Sequence, residues 1–377
     1  MSESLDVAIV GGGILGLLAL RELRLRDVSA YLFEQDELGG DQTLHSQAFL
    51  IRGHLYALYN RPAPTFETSV EGWNALLEEQ GGVAQGPTYY AIEQANERSA
   101  RKAWSGAGLS FRAPSSLPAG FDSSGVKLFD SLERYLPDAA TFVERLIDRA
   151  DLKPWIRRGR VTDIDAMTGE IDVENDGATQ RLAARAVAIA SGRARFCGLE
   201  PNQIHGGSMI GALVIKGPDV PRYALVAPIA SLNDRGPIRW MCVPRYCAST
   251  GERAWLCSAL LPENALNWQR LTADGLKARC TTLDWSTMTL GSFTETFWPG
   301  FDAPGGYQVQ TKGCVVAAWP ARLTLAPAAS RAVAGAVEAI LSENHGSPSP
   351  PPRATTLPPV AAERWQEIST TAYAALP

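Results

Sequence analysis

Gly11, Gly13 and Gly16 fall in a Gly-x-Gly-x-x-Gly spacing, and an acid, Glu34, follows 18 residues after the last of them. Glycines at these positions have distinct work to do around a phosphate. The first permits a tight turn, the second lets backbone amides approach a pyrophosphate, and the third lets a helix pack closely on a strand. A helix starting there offers unpaired N–H groups and a partial positive charge. A carboxylate at Glu34 accepts hydrogen bonds from a ribose hydroxyl and disfavours a 2′-phosphate. Together these residues read as a site for an ADP-containing dinucleotide. The spacing does not separate NAD from FAD.

The neighbouring residues supply the elements such a turn needs. Residues 5–10 are short, apolar and β-branched, as in a buried parallel strand. Residues 14–25 predict a helix, with Leu17, Leu18, Leu20 and Leu23 on one face and Arg21, Glu22 and Arg24 on the other. Residues 30–33 predict a second strand, closing a βαβ unit of about 30 residues. Further along, the patterns predict a strand over 86–92, a helix over 138–150 and a hairpin of 160–165 with 170–174. A strand over 185–192 ends in small residues. From 208 to 297, β-like runs alternate with turns, carrying Trp240, Trp255, Trp268 and Trp285. A strand over 313–318 precedes a helix of small residues over 325–341. The Ser/Pro run at 347–352 predicts an extended, poorly packed tail, with a short helix over 360–374.

Composition narrows the class. A chain of 377 residues suits two domains or one large composite. With 45% hydrophobic and 20% charged residues and a net charge of −5, it reads as an ordinary globular protein, and nothing points to nucleic acid or an anionic membrane. Six scattered cysteines match no common zinc spacing, so no metal site is expected, and buried thiols fit a reducing compartment. With no basic leader and no apolar run near the roughly 20 residues of a membrane span, a cytoplasmic location is expected.

Two distant segments sharpen the nucleotide. Residues 186–192 read AVAIASG, and residues 313–341 read GCVVAAWPARLTLAPAASRAVAGAVEAIL. With the glycine turn, they resemble the FAD-dependent oxidoreductases of the D-amino-acid oxidase and glycine/sarcosine oxidase superfamily, over about residues 7–341. The resemblance implies FAD and an α/β fold: a Rossmann-like FAD-binding domain of the two-dinucleotide-fold type, with an inserted α+β substrate domain on a mostly antiparallel sheet. It implies an FAD-binding domain from residues 1–60, 138–202 and 305–342, and a substrate domain from 61–137 and 203–304. Residues 343–377 would form the tail. The N-terminus of the last helix would point at the flavin pyrimidine ring, where electron-rich reduced flavin gains from the helix dipole.

The same resemblance implies roles residue by residue. Gly11, Gly13, Ile14, Leu15, Gly16, Glu34 and Gln35 would hold the ADP portion, with Val161, Ser191 and Gly192 beside it. Gln42, Thr43, His45 and Ser46 would run along the flavin, and Arg322, Leu323 and Thr324 would meet it from the last helix. His45 is read as a non-covalent neighbour of the flavin, although some relatives bond it covalently. Arg52 aligns with an arginine that clamps a substrate carboxylate, a task suited to a permanently charged fork; the alternative is a structural ion pair. Arg322 would bind substrate, stabilise reduced flavin or assist oxygen activation, or else be a solvated arginine at the helix start. The expected chemistry is hydride transfer to flavin N5 from a C–H bond beside nitrogen in a small carboxylate-bearing amine or amino acid, with electrons passing to oxygen. One alternative is a 2-hydroxy-acid dehydrogenase, with His45 or His54 as base; another is a flavin-binding protein with an assembly role. Partners would be a small-molecule substrate and, compatibly, further copies of the chain. The family's proline- and glycine-rich run is altered around residues 301–307, and Trp319 either narrows access to the flavin or only packs there.

Overall fold

The computed structural model describes residues 5–58, 66–82, 84–118, 120–192, 196–200, 208–227, 240–260, 267–297, 306–320, 323–343 and 350–373. Its first sheet has six strands, in the order Tyr307–Lys312, Val315–Pro320, Ala186–Ile189, Val7–Val10, Ala30–Glu34 and Ile156–Arg158. All neighbours run parallel except the edge pair Tyr307–Lys312 and Val315–Pro320. Strand order reverses at Val7–Val10, and crevices beyond the strand C-termini at such a point bind ligands in open α/β sheets. The glycine turn lies there, between Val7–Val10 and the helix Ile14–Arg24.

The central strands are buried on both faces, which explains their unbroken apolar runs. Val7, Ile9 and Leu32 face Leu17, Leu20 and Leu23 of the glycine-turn helix, with Val333, Ala334 and Val337 of the closing helix Ala326–Glu343. Ala8, Val10, Phe33, Val187 and Ile189 face a three-stranded antiparallel sheet through Val161, Ile171, Val173 and Leu182. Trp319 is 7% exposed within this second layer, so it packs in the core. The segment Leu323–Glu343 is long and apolar enough to cross a bilayer, but half of it is buried inside the fold, as in a core helix.

The second large sheet has eight strands, in the order Thr371–Ala372, Thr289–Phe297, Ser208–Lys216, Arg253–Leu260, Trp240–Tyr246, Ala224–Ala227, Thr88–Glu93 and Val126–Asp130. Only Ala224–Ala227 with Thr88–Glu93 is a parallel pair. One face packs Leu213, Trp255, Cys257 and Leu290 against Trp268 and Leu276 of the helix Trp268–Arg279. The other packs Tyr90, Ala224, Val226 and Val243 against Phe49, Ile51 and Leu325. The fold is thus a Rossmann-like, mostly parallel sheet joined to a mostly antiparallel one.

Of the Ser/Pro run at 347–352, residues 347–349 lie outside the described residues; beyond it, the tail is tied into the fold. Leu38 N–H donates to Pro359 O at 2.8 Å, and Ala361 N–H donates to Leu38 O at 3.0 Å. Trp365 is 1% exposed, in a 3-10 turn over Arg364–Gln366 rather than the predicted helix, and Thr371–Ala372 adds an edge strand. Proline prevents regular structure but not packing, and the buried Trp365 and Glu363 outweigh the Pro-rich run before them.

Candidate active site

The glycine turn is built by close contact. Gly11 has φ +107°, and a Cβ there would lie 2.7 Å from Ser191 Cα. A Cβ on Gly16 would lie 1.9 Å from Gly11 O, so the helix reaches the strand only without one. Gly13 differs. It has φ −70° and ψ 176°, has no side chain of its own to cap the helix, and a Cβ would meet only Thr43 Oγ1, at 3.4 Å. Internal packing therefore does not require glycine at 13, and its absent side chain leaves a cradle over the helix N-terminus. Ser191 Oγ, across the turn, is shut off from solvent and has no hydrogen-bond partner among the described residues. A buried hydroxyl without a partner is costly and fits a ligand group.

Glu34 ends its strand beside this cradle. Its Oε2 accepts Gly12 N–H at 2.7 Å and its Oε1 accepts Asp36 N–H at 2.9 Å. Each carboxylate oxygen keeps acceptor capacity for a ribose hydroxyl. Gln35 is exposed and donates to Asp36 Oδ2 at 2.8 Å. Ile14 and Leu15 bury their side chains in the core, which leaves only backbone N–H groups to offer. Ile14 N–H donates to Thr43 Oγ1 at 3.1 Å, bringing the one-turn helix Gln42–His45 against the glycine turn. Val161 is also a core side chain; Gly159, two residues earlier, donates its N–H to Glu34 O at 2.9 Å. Gly192 is exposed at the strand end, with φ +63°.

The next segment links the turn to the second sheet. Ser46 Oγ accepts Ala48 N–H at 3.2 Å, and Ala48 sits at φ +48°, an uncommon conformation for a residue with a Cβ. Ile51 N–H donates to Thr324 Oγ1 at 3.0 Å, while Thr324 O accepts from Ser69 Oγ at 2.5 Å and Trp73 Nε1 at 3.0 Å. Leu323 and Thr324, before the closing helix, are thereby tied to residues 49–51. Arg322 lies outside the described residues, as does the altered stretch 301–305. His45 is half-buried at the end of its turn.

Arg52 follows directly and is half-buried; its N–H donates to Glu133 Oε1 at 2.7 Å. Glu133 is fully buried and also takes Tyr90 O–H at 2.9 Å. Burial would raise its pKa, but His54, the Arg52 N–H and Tyr90 hold it below the usual carboxylate range. His54 belongs to this network: Nδ1 faces Glu133 at 3.4 Å and Nε2 faces Ser110 O at 3.0 Å, with the ring between Tyr90 and Trp104. The ring is buried and both nitrogens face protein acceptors, one on Glu133 and one on the Ser110 backbone, which favours a structural role for His54 over the base that the alcohol reading allowed. Glu133 escaped the sequence because a buried carboxylate has no periodic signature, and its partners come from residues 52, 54 and 90.

With this geometry in place, the comparisons are specific. Residues 6–231, more than half of the chain, match the family described as DAO, FAD dependent oxidoreductase. The chain belongs to this family and is an FAD-dependent oxidoreductase. No curated protein matches the sequence. Among solved structures, an FAD dependent oxidoreductase from Pseudomonas aeruginosa is 18% identical, with TM-score 0.69 over 97% of this chain and 99% of that one. Glycine oxidase from Geobacillus kaustophilus is 17% identical, with TM-score 0.62 over 93% and 98%. Iminodiacetate oxidase from Chelativorans sp. BNC1 is 13% identical, with TM-score 0.61 over 93% and 99%. At these identities the likeness is one of fold.

Proposed function

We propose that the protein oxidises the C–N bond of a small amine or amino acid bearing a carboxylate, with oxygen as electron acceptor. The observation that carries this reading is the placement of Arg52. It is the cation that follows the segment tied both to the glycine turn, through Thr43, and to the start of the closing helix, through Thr324. Its backbone N–H is anchored on a buried carboxylate, Glu133. Two of the similar structures are named for glycine and iminodiacetate, which both join an amine nitrogen to a carboxylate.

The chain's residues suit each part of the task. Residues 11–16, Glu34, Thr43 and Ser191 would hold the FAD, which when bound supplies a two-electron acceptor for a C–H bond beside nitrogen. Arg52 would grip both carboxylate oxygens and fix the substrate carbon. Phe49, Ile51, Val226, Val243 and Leu325 make the surroundings apolar and exclude water. A neutral amine needs no base to lose its C–H bond, and water then hydrolyses the imine product.

A 2-hydroxy acid requires a group to take the hydroxyl proton. With His54 committed to Glu133 and Ser110, only His45 remains of the two histidines considered for that work. This favours the amine. The experiment is anaerobic mixing of FAD-loaded protein with amines, amino acids and 2-hydroxy acids while following flavin absorbance. Bleaching by carboxylate-bearing amines, with peroxide formed on admitting air, is expected. Bleaching by hydroxy acids alone overturns the proposal.

A further inference from the structure

We infer that Glu363, in the C-terminal tail, is a positioning residue for the cofactor-facing segment 42–52 and acts on it through Arg245. The inference rests on the reading that this segment lines the flavin. Glu363 is 1% exposed and Arg245 is 2% exposed. Arg245 donates to Glu363 Oε2 through Nη2 and, at 3.0 Å, through Nε. Its remaining nitrogen, Nη1, donates to Leu136 O at 2.6 Å and to Gln47 O at 3.3 Å. One guanidinium thus joins the tail to the middle of the segment.

The segment is held from the same side by further bonds. Gln47 Nε2 donates to Met241 O, on the strand that carries Arg245, and Leu136 N–H donates to Ala48 O at 2.9 Å. These contacts bracket Ala48 and its positive φ, a conformation that persists where surroundings over-determine it. Ala48 lies between Thr43, which meets the glycine turn, and Arg52. A shift at Gln47 and Ala48 therefore moves both ends of the site.

Glu363 is the hub on the tail side. Besides Arg245 it accepts Ala139 N–H at 2.5 Å, Ala140 N–H at 3.1 Å and the Trp365 indole N–H. The first two are orphan amides at the start of the helix Ala139–Arg149, where a carboxylate is favoured. Four and two residues earlier, the tail's Pro359 and Ala361 bond to Leu38, and a Cβ on Gly12 would lie 2.6 Å from the Leu38 side chain. The tail therefore backs the glycine turn and steers the flavin-facing segment at once. The carboxylate is more than a filler: a buried guanidinium without its partner must be rehydrated or reoriented, and its fork would leave Gln47.

The test is FAD affinity of the purified apoprotein, measured by flavin fluorescence quenching, with thermal stability followed in parallel. E363Q leaves a buried cation unpaired and can fail to fold, so R245K and E363D carry the comparison. Lysine keeps the charge but cannot span Glu363, Leu136 O and Gln47 O together. The Kd for FAD is expected to rise about tenfold or more in R245K, the effect of losing a charge-assisted hydrogen bond. It is expected to stay within about threefold of wild type in E363D, which retains the pair. W365F removes one donor from Glu363 and spares Arg245; it is expected to lower Tm and leave the Kd unchanged. Unchanged FAD affinity in R245K overturns the inference and makes the pair a clamp for stability alone. Thr43→Val serves as the control: if it also leaves FAD affinity unchanged, the reading of the segment fails, and the inference with it.

Discussion

Substituting alanine at Gly13 and Gly16 separates a ligand cradle from a packing requirement. Gly13 has φ −70°, which alanine adopts without strain, and its Cβ would be in ordinary contact with Thr43 Oγ1 at 3.4 Å. Replacing glycine at such a position stiffens the unfolded chain and stabilises by about 0.4–1 kcal/mol. Gly13 is also the helix N-cap, where alanine is less favoured than glycine, so the two effects offset and apo G13A should melt close to the wild-type temperature. At Gly16 the added Cβ would sit 1.9 Å from Gly11 O, which forces the helix off the strand. Overpacking of this kind costs about 1–3 kcal/mol and sometimes more. G16A should therefore melt below wild type whether or not FAD is present. In FAD binding both should be impaired. A methyl in the cradle blocks N–H contacts to a pyrophosphate, and losing one charge-assisted bond of about 1.5–3 kcal/mol raises Kd by roughly 10- to 150-fold. Differential scanning fluorimetry of the apoproteins and fluorescence titration with FAD measure the two effects separately. If apo G13A melts as low as G16A, the packing distinction is wrong. If G13A binds FAD as tightly as wild type, the space beside Gly13 is not the cradle.

Other expectations follow from the same contacts. Glu34→Gln keeps one acceptor oxygen, so it gives up the bond from either Gly12 N–H or Asp36 N–H and also weakens acceptance of a ribose hydroxyl; FAD affinity should fall about tenfold or more, and equal affinity by titration would place the ribose elsewhere. Arg52→Lys should raise KM for carboxylate-bearing amines about tenfold or more, because a point charge replaces a bidentate fork; unchanged KM would return Arg52 to a structural role. Glu133 is held below its ordinary value of 4.5, so the stability it contributes is complete above that value and is lost as pH falls through the lower folded one. E133Q should therefore melt well below wild type at pH 7, and the gap should narrow as pH falls below 4.5; a gap that does not narrow at all in acid would refute this. Burial pushes the Cys257 thiol up, and Cys280 up to about 12, so a thiol reagent at pH 8 should label half-exposed Cys197 first and these two only on unfolding.

The sequence by itself determined the dinucleotide-binding unit, because every part of it is local. Strand, glycine turn, helix, strand and Glu34 lie within 30 residues, and each constraint falls on one residue type at one spacing. Residues 186–192 and 313–341 were recognisable by their resemblance to segments of the family, the first an apolar strand ending in small residues and the second a strand leading into a helix. Periodicity also placed the hairpin Arg160–Ile164 with Glu170–Asn175 and the helix Ala139–Arg149 with its Asp138 cap, whose side chain accepts Thr141 N–H at 2.8 Å. What only the tertiary structure decided is which charged residues are buried together. Glu133 with His54, and Glu363 with Arg245, join residues 79 and 118 positions apart, and no pattern within either stretch announces the partner. His54 resembles any histidine beside a site until both of its nitrogens are seen on Glu133 and Ser110. The tail is the plainest case. Composition describes how a chain behaves alone, and Ser/Pro-rich sequence alone is extended. Glu363 and Trp365 are ordered by an arginine and a sheet that come from elsewhere in the chain.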